Sequence, residues 1–336
     1  MRVTLRLLGL IAGAALLLQS PGSRAGEIVD GEYVAAAAAR GAIIWDVRSA
    51  KDYAAGHIPG AVNIGNAGEV LRDPNKEDFL ATEAVEKVFN NAGIDLGKEV
   101  IAYADTGDAF AHWALVTIRH FGGKQGKVYH GGMDDWKAAG RPVSTEPTKL
   151  PAVSQVLSVQ PDVLVRTRDV LAALNNPDVQ IVDVRTVKEF KGEDIRALRG
   201  GHIPGATHIA YEKNWVDPEL AAKLKTKEVK TRAGAALKPS DDLEALYRDL
   251  DPSKETIVYC QSGVRASETA NVMRALGFDK VRVYEESWLG YGNTLSAPSV
   301  DTTFINVGAL QGRIAKLEGA IAELTAQLEA AKKASQ

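Results

Sequence analysis

Ile43-Ile44-Trp45-Asp46-Val47-Arg48, followed by Gly56-His57-Ile58-Pro59-Gly60-Ala61, decides the fold, because the chain writes it twice. Ile181-Val182-Asp183-Val184-Arg185 and Gly201-His202-Ile203-Pro204-Gly205-Ala206 are the second writing. Asp46 and His57 are 11 residues apart and Asp183 and His202 are 19 apart, so the second copy carries eight extra residues between its halves. Downstream, Val100-Ile101-Ala102-Tyr103 is answered by Thr256-Ile257-Val258-Tyr259, and Thr106-Gly107 by Ser262-Gly263. The unit is too long for a solenoid and reads as one domain present twice.

Each copy reads as α/β. Short β-branched runs end in Asp-Val-Arg or lead to Tyr103 and Tyr259, and further runs follow at Lys127–Tyr129 and Val281–Tyr284. Helical patterns at 81–92, 109–121, 241–249 and 266–276 lie between them. Buried strands alternating with helices predict a parallel sheet covered on both faces in each copy. The copies are placed at 27–145 and 161–298. A linker over 146–160 is marked by Pro147 and Pro151, with Pro161 at its end.

The tail, 304–334, is a third element. Val307, Ile314, Ile321 and Leu328 fall at heptad position a, and Leu310, Leu317 and Leu324 at d, the pattern of a two-stranded parallel coiled coil. Arg313 at g and Glu318 at e are placed for an interchain pair. Gly312 and Gly319 at f weaken the helix by about 1 kcal/mol each. The seam predicts a homodimer through 304–334, the alternative being an amphipathic helix folded back on its own domain.

Composition fits two soluble domains: 336 residues, 45% apolar, 40 Lys and Arg against 43 Asp and Glu, net charge -3. No basic stripe marks a nucleic-acid partner. The N-terminus departs from this pattern. Basic Met1–Arg6, apolar Leu7–Leu18 and small residues in Ser23-Arg24-Ala25 have the order of a cleavable secretory signal. Cleavage is expected after Ala25, with a periplasmic or secreted destination. The apolar run is too short to span a bilayer. A single cysteine, Cys260, excludes an intrachain disulfide.

The chemistry points to that cysteine. Cys260-Gln261-Ser262-Gly263-Val264-Arg265 follows a strand and enters a helical pattern. Unpaired N–H groups and the dipole at a helix N-terminus favour an anion, and a thiolate is one. Lowering a cysteine pKa from ~8.5 to ~6.5 raises the thiolate fraction at neutral pH from about 3% to about 75%. Gly263 lets the loop curl, and Arg265 is read as a fixed positive charge for an anionic substrate. Ala104 stands at the same place in the first copy, where Asp105 and Asp108 would repel an anion, so that copy reads as scaffold and a wall of the cleft.

With Asp-Val-Arg and Gly-His-Ile-Pro-Gly-Ala in both copies and Tyr-Cys-Gln-Ser-Gly-Val-Arg-Ala in the second, the chain resembles the tandem rhodanese sulfurtransferases over about residues 27–298. Gly131-Gly132, Trp136, Gly140-Arg141-Pro142 and Ser287-Trp288 resemble the family's domain endings. The resemblance implies two rhodanese folds and an enzyme that moves a sulfane sulfur from a small anionic donor such as thiosulfate to cyanide or a thiol. By that resemblance, Cys260 would carry the sulfur as a persulfide, and Gln261, Ser262, Gly263, Val264 and Arg265 would form the substrate loop.

Four residues separate Cys260 from Arg265, whereas cysteine phosphatases resemble Cys-x5-Arg. The smaller ring suits one sulfur atom better than a phosphate. Gln261-Ser262 matches neither the thiosulfate-specific nor the mercaptopyruvate pattern, and Glu189 stands where tandem thiosulfate enzymes carry arginine. A 3-mercaptopyruvate sulfurtransferase and a sulfur-carrier or redox-partner module remain the alternatives. Asp183 and Arg185 read as a buried ion pair supporting the loop, and His57 and His202 as turn residues. Arg196 and Arg199 read as a docking pair for the donor or a solvated loop, and Trp288 and Tyr291 as cleft mouth or core. The six histidines show no metal-ligand spacing, and no metal or other cofactor is expected.

Overall fold

The computed structural model describes residues 26–73, 78–305 and 307–334. The expected signal segment, 1–25, lies outside them. Among the described residues, no helix is long and apolar enough to cross a membrane.

In the first copy the strands are β1 (Ile28–Val29), β2 (Ile43–Asp46), β3 (Val62–Asn63), β4 (Val100–Tyr103) and β5 (Gly126–Tyr129). They form a parallel sheet in the order β1-β5-β4-β2-β3. The second copy supplies β6 (Leu164–Val165), β7 (Val179–Asp183), β8 (Arg199–His202), β9 (Thr207–His208), β10 (Glu255–Tyr259) and β11 (Val281–Tyr284). Its parallel sheet runs β6-β11-β10-β7-β9, the same order once β8 is set aside. Alternation along each strand builds two cores per domain: Trp45, Val100 and Ala102 face one, Ile44, Ile101 and Tyr103 the other. In β10 the same alternation sends Tyr259 to one face and Val258 and Cys260 to the opposite one.

Helices Thr82–Ala92, Ala109–His120, Ser240–Tyr247 and Val264–Ala275 occupy the expected stretches. The helices after β4 and β10 are counterparts, and they pack on each other across the domain interface. The stretch read as a linker is strapped to the first domain. Val153 N–H donates to Asn90 O, Leu157 N–H to Glu86, and the Leu157 side chain enters the first core.

The second copy does not stop at 298. A twelfth strand, β12 (Val300–Phe304), pairs antiparallel with β8. All five of its residues are exposed, so no apolar alternation announces it. Beyond it, helix Val307–Ala334 runs 28 residues, about 42 Å at 1.5 Å per residue. Val307, Ile314, Leu317, Ile321, Leu324 and Leu328 are each more than half exposed. The helix therefore does not fold its seam back onto its own domain. The side chains of Leu310 and Arg313 lie outside those described.

Candidate active site

Cys260 sits directly after β10 and is 1% exposed. Gly263 caps the next helix at φ +80°, and a Cβ there would lie 2.9 Å from Glu285 O, so only glycine fits the turn. Ser287 holds the loop from beneath. Its Oγ accepts the N–H groups of Cys260 at 3.1 Å and Gly263 at 3.0 Å, and donates to Tyr284 O at 2.6 Å. The loop carbonyls turn away: Cys260 O accepts from Trp288 N–H and Gln261 O from Leu289 N–H. Intrahelical bonding begins with Ser267 N–H on Gly263 O. Among the described residues, the N–H groups of Gln261, Ser262, Val264, Arg265 and Ala266 have no protein acceptor. These donors and the helix dipole mark the loop as a site for a small anion.

The fixed positive charge read at Arg265 is paired with a carboxylate. It makes two 2.8 Å hydrogen bonds to the Glu189 carboxylate, and its guanidinium lies 5.8 Å from the Tyr211 ring centroid. Glu189 is 2% exposed and also accepts from Thr186 N–H and Oγ. Burial opposes its charge, but the Arg265 fork and Thr186 overcome that and hold the carboxyl at about 2. Glu189 thus faces the active loop's arginine rather than standing as a bare charge in the cleft. Arg196, half exposed, donates to the same carboxylate at 3.3 Å, and its carbonyl accepts from Gln261 Nε2 at 2.7 Å. One carboxylate between two guanidiniums leaves a net positive charge beside the loop. Sequence reasoning did not pair Glu189 with Arg265, because 76 residues separate them.

The supporting residues fall where the repeat placed them. Arg185 bonds Asp183 at 2.6 Å and Gly201 O at 2.7 Å, and Arg48 treats Asp46 and Gly56 O in the same way. His57 Nδ1 and His202 Nδ1 meet Tyr53 O and Phe190 O, each at 2.9 Å, and each ring stacks on that aromatic side chain. Trp288 and Tyr291 are buried core residues, with Trp288 Nε1 on Arg199 O. Arg199 is buried too, its guanidinium on the carbonyls of Tyr291 and Thr294, so it is not available to a donor molecule.

In the first copy, Gly132 takes the place of Ser287 at φ +56°, and Met133 N–H bonds Ala104 O as Trp288 N–H bonds Cys260 O. A Cβ on Gly132 would fall 2.3 Å from Ala104 O. The cysteine-free loop has settled onto the space a serine would occupy.

Three groups that spacing did not connect meet at the interface. His112, His130 and Glu268 lie with their ligand atoms within 4.8 Å of one another, all buried. The two imidazoles share a 2.9 Å N···N contact with ring centroids 5.2 Å apart. The difference is about two ring radii, so the nitrogens point along one line at each other. That is a hydrogen-bonded pair, not two lone pairs converging on a third point as metal ligation needs. The chain continues from Asn271 Nδ2 to His112 and from His130 to Ala235 O. Burial raises the Glu268 carboxyl to about 8, only partly offset by the Trp215 N–H on one of its oxygens.

The rhodanese-like domain model matches residues 30–139 and again 167–294. The thiosulfate sulfurtransferase of Corynebacterium glutamicum is 35% identical over 258 residues, 73% of this chain and 80% of that protein. The crystal structure of SseA from Escherichia coli, a 3-mercaptopyruvate sulfotransferase, superposes with a TM-score of 0.65 at 25% identity, covering 78% of this chain and 98% of that one. The wild-type structure of EanB, at 21% identity and a TM-score of 0.69 over 84% of this chain and 70% of that one, shares the fold. Two matched copies and a relative similar over most of its length place this chain in the rhodanese-like family as a tandem-domain sulfurtransferase.

Proposed function

We propose that this sulfurtransferase carries sulfur on Cys260 as a persulfide and takes it from thiosulfate. The reading rests on one observation: the chain's single cysteine lies under a loop of uncommitted N–H donors at a helix N-terminus. The Cys260 thiolate attacks the outer sulfur of thiosulfate. The S–S bond breaks, and sulfite leaves with the electron pair. The new terminal sulfur keeps one negative charge, which the loop N–H groups and the Arg196–Glu189–Arg265 set hold. Cyanide or a thiolate then attacks that sulfur, the Cys–S bond to it breaks, and the cysteine thiolate returns. No metal or redox cofactor enters either step. Incubation of wild type and Cys260→Ser with thiosulfate or 3-mercaptopyruvate, read by intact mass and by sulfite or pyruvate release, tests this. Sulfur gain from 3-mercaptopyruvate alone replaces the proposed donor. Gain without turnover on cyanide favours the carrier module.

We also propose that the chain is exported and pairs with a second copy through 304–334. The basic, apolar and small-residue order of 1–25 supports the first, and the exposed heptad seam supports the second. Sedimentation of full-length protein against a chain ending at Ile305, which keeps β12, tests the dimer. Two monomers would remove it. Mass of the protein recovered outside the cytoplasm, compared with a start at Gly26, tests export.

A further inference from the structure

We infer that Arg72, contributed by the cysteine-free domain, is a positioning residue for the catalytic loop of the other domain. Its Nη2 donates to Ser262 O at 2.8 Å, its side chain is buried, and its guanidinium lies 5.7 Å from the Trp113 ring centroid. The N–H of that same Ser262–Gly263 peptide donates to Ser287 Oγ at 3.0 Å. One peptide is therefore held at both ends, its oxygen by the first domain and its nitrogen by the second. The peptide before a glycine at positive φ is the one that turns over most readily, because glycine accepts either sign of φ. Turned over, the Ser262 carbonyl would face Ser287 Oγ in place of the Gly263 N–H, and the serine would lose one of the two N–H groups by which it supports the loop. Arg72 locks the donor arrangement and adds a cation to the far end of the peptide dipole.

The segment bearing Arg72 is itself fastened across the interface. Arg72 and Phe79 form a β-bridge, Phe79 N–H donates to the buried Glu285 carboxylate at 2.9 Å, and Asp78 pairs with Arg166 at 2.8 Å. The arrangement is reciprocal: Arg232 of the second domain donates through Nε to Thr106 O at 2.6 Å, and Thr106 is the counterpart of Ser262. Each domain grips the other's loop by the same carbonyl, but only one of those loops carries a cysteine. Arg232 is thus a matched control for the interface contact without the chemistry.

The inference rests on Cys260 as the sulfur carrier. Full-length wild type, Arg72→Met, Arg72→Lys and Arg232→Met are compared for kcat and KM with thiosulfate and for the pH dependence of Cys260 alkylation by iodoacetamide. Arg72→Met is expected to lower kcat about tenfold with KM changed less than about twofold, and to move alkylation to higher pH by roughly half a unit. Arg72→Lys recovers most of both, and Arg232→Met leaves both within about twofold of wild type. If Arg72→Met does not fold, Arg72→Gln, which keeps a donor without the charge, takes its place with the same expected alkylation shift. An unchanged profile in the Arg72 variants, or equal losses in Arg72→Met and Arg232→Met, overturns the inference. Wild type that gains no sulfur on Cys260 overturns the parent reading instead, and the two failures are separable.

Discussion

The loops 104–109 and 260–265 occupy the same place in two copies of one domain, and one carries a cysteine where the other has alanine. The frame around them is shared. Asp46 and Arg48 repeat as Asp183 and Arg185, and the hydroxyls of Tyr103 and Tyr259 accept the N–H groups of Ile58 and Ile203. The stacked histidines and the gripping arginines from the opposite domain repeat as well. Several of the differences gather around the loop. Cys260, Arg265, Glu189 and Ser287 stand against Ala104, Ala109, Asp52 and Gly132. Glu189 is buried on Arg265, whereas Asp52 is exposed and its carboxylate accepts from Ser49 Oγ. The proposed reaction uses Cys260, Arg265, Glu189 and Ser287, which the first copy lacks, on a frame that both copies share.

The comparison breaks most sharply at the cysteine. Cys260→Ser is expected to lower sulfur transfer by on the order of a thousandfold or more. Adding Ala104→Cys to that variant restores nothing measurable, because the first loop has settled onto Gly132 and carries Asp105 and Asp108 beside it. Recovery in a thiocyanate assay would show that the frame alone suffices.

Glu189→Ala leaves Arg265 without its carboxylate partner and is expected to cost about 3 kcal/mol in urea unfolding, the order found when one member of a buried pair is removed. Asp52→Ala should change stability by less than about 0.5 kcal/mol. The pair also sets an acid limb. The Glu189 carboxyl lies at about 2 in the folded protein against 4.5 for the free group. Its contribution is therefore complete above pH 4.5 and is lost as pH falls toward 2. Glu189→Gln should flatten that limb.

Glu268 has the opposite sign. Its folded value of about 8 lies above the free 4.5, so stability falls as pH rises from 4.5 to 8 while only the unfolded chain ionises. Glu268→Gln keeps an acceptor for Trp215 and is expected to stabilise the protein by about 2 kcal/mol at pH 8 and little at pH 4.5. Equal effects at both pH values would contradict the neutral, buried carboxyl.

Ser287→Gly makes the second copy resemble the first with little effect on stability. Loss of the hydroxyl costs about 1 kcal/mol, and relief of the non-glycine φ of +49° returns a similar amount. Unfolding should shift by less than about 1 kcal/mol while kcat falls about tenfold, separating loop support from fold support.

What could be read in advance was what is local along the chain. The repeat, the strands ending at Asp46, Asp183, Tyr103 and Tyr259, and Cys260 with its loop all lie within short windows. The helix after the loop begins at Val264 rather than 266, because Gly263 already supplies the turn. Contacts made only by folding were not legible: Arg72 to Ser262 spans 190 residues and Ser287 to Cys260 spans 27. The His112–His130–Glu268 cluster comes from the packing of two counterpart helices beside the end of β5, which no ligand spacing encodes. Strand β12 escaped because every one of its residues faces solvent.

The central claim is that Cys260 alone carries the transferred sulfur. Intact-mass analysis of the wild-type chain after thiosulfate, with peptide mapping, should show a gain of one sulfur atom on Cys260, reversed by cyanide and absent in Cys260→Ser. Turnover of thiosulfate with no sulfur ever found on Cys260, or the same gain in Cys260→Ser, would contradict it.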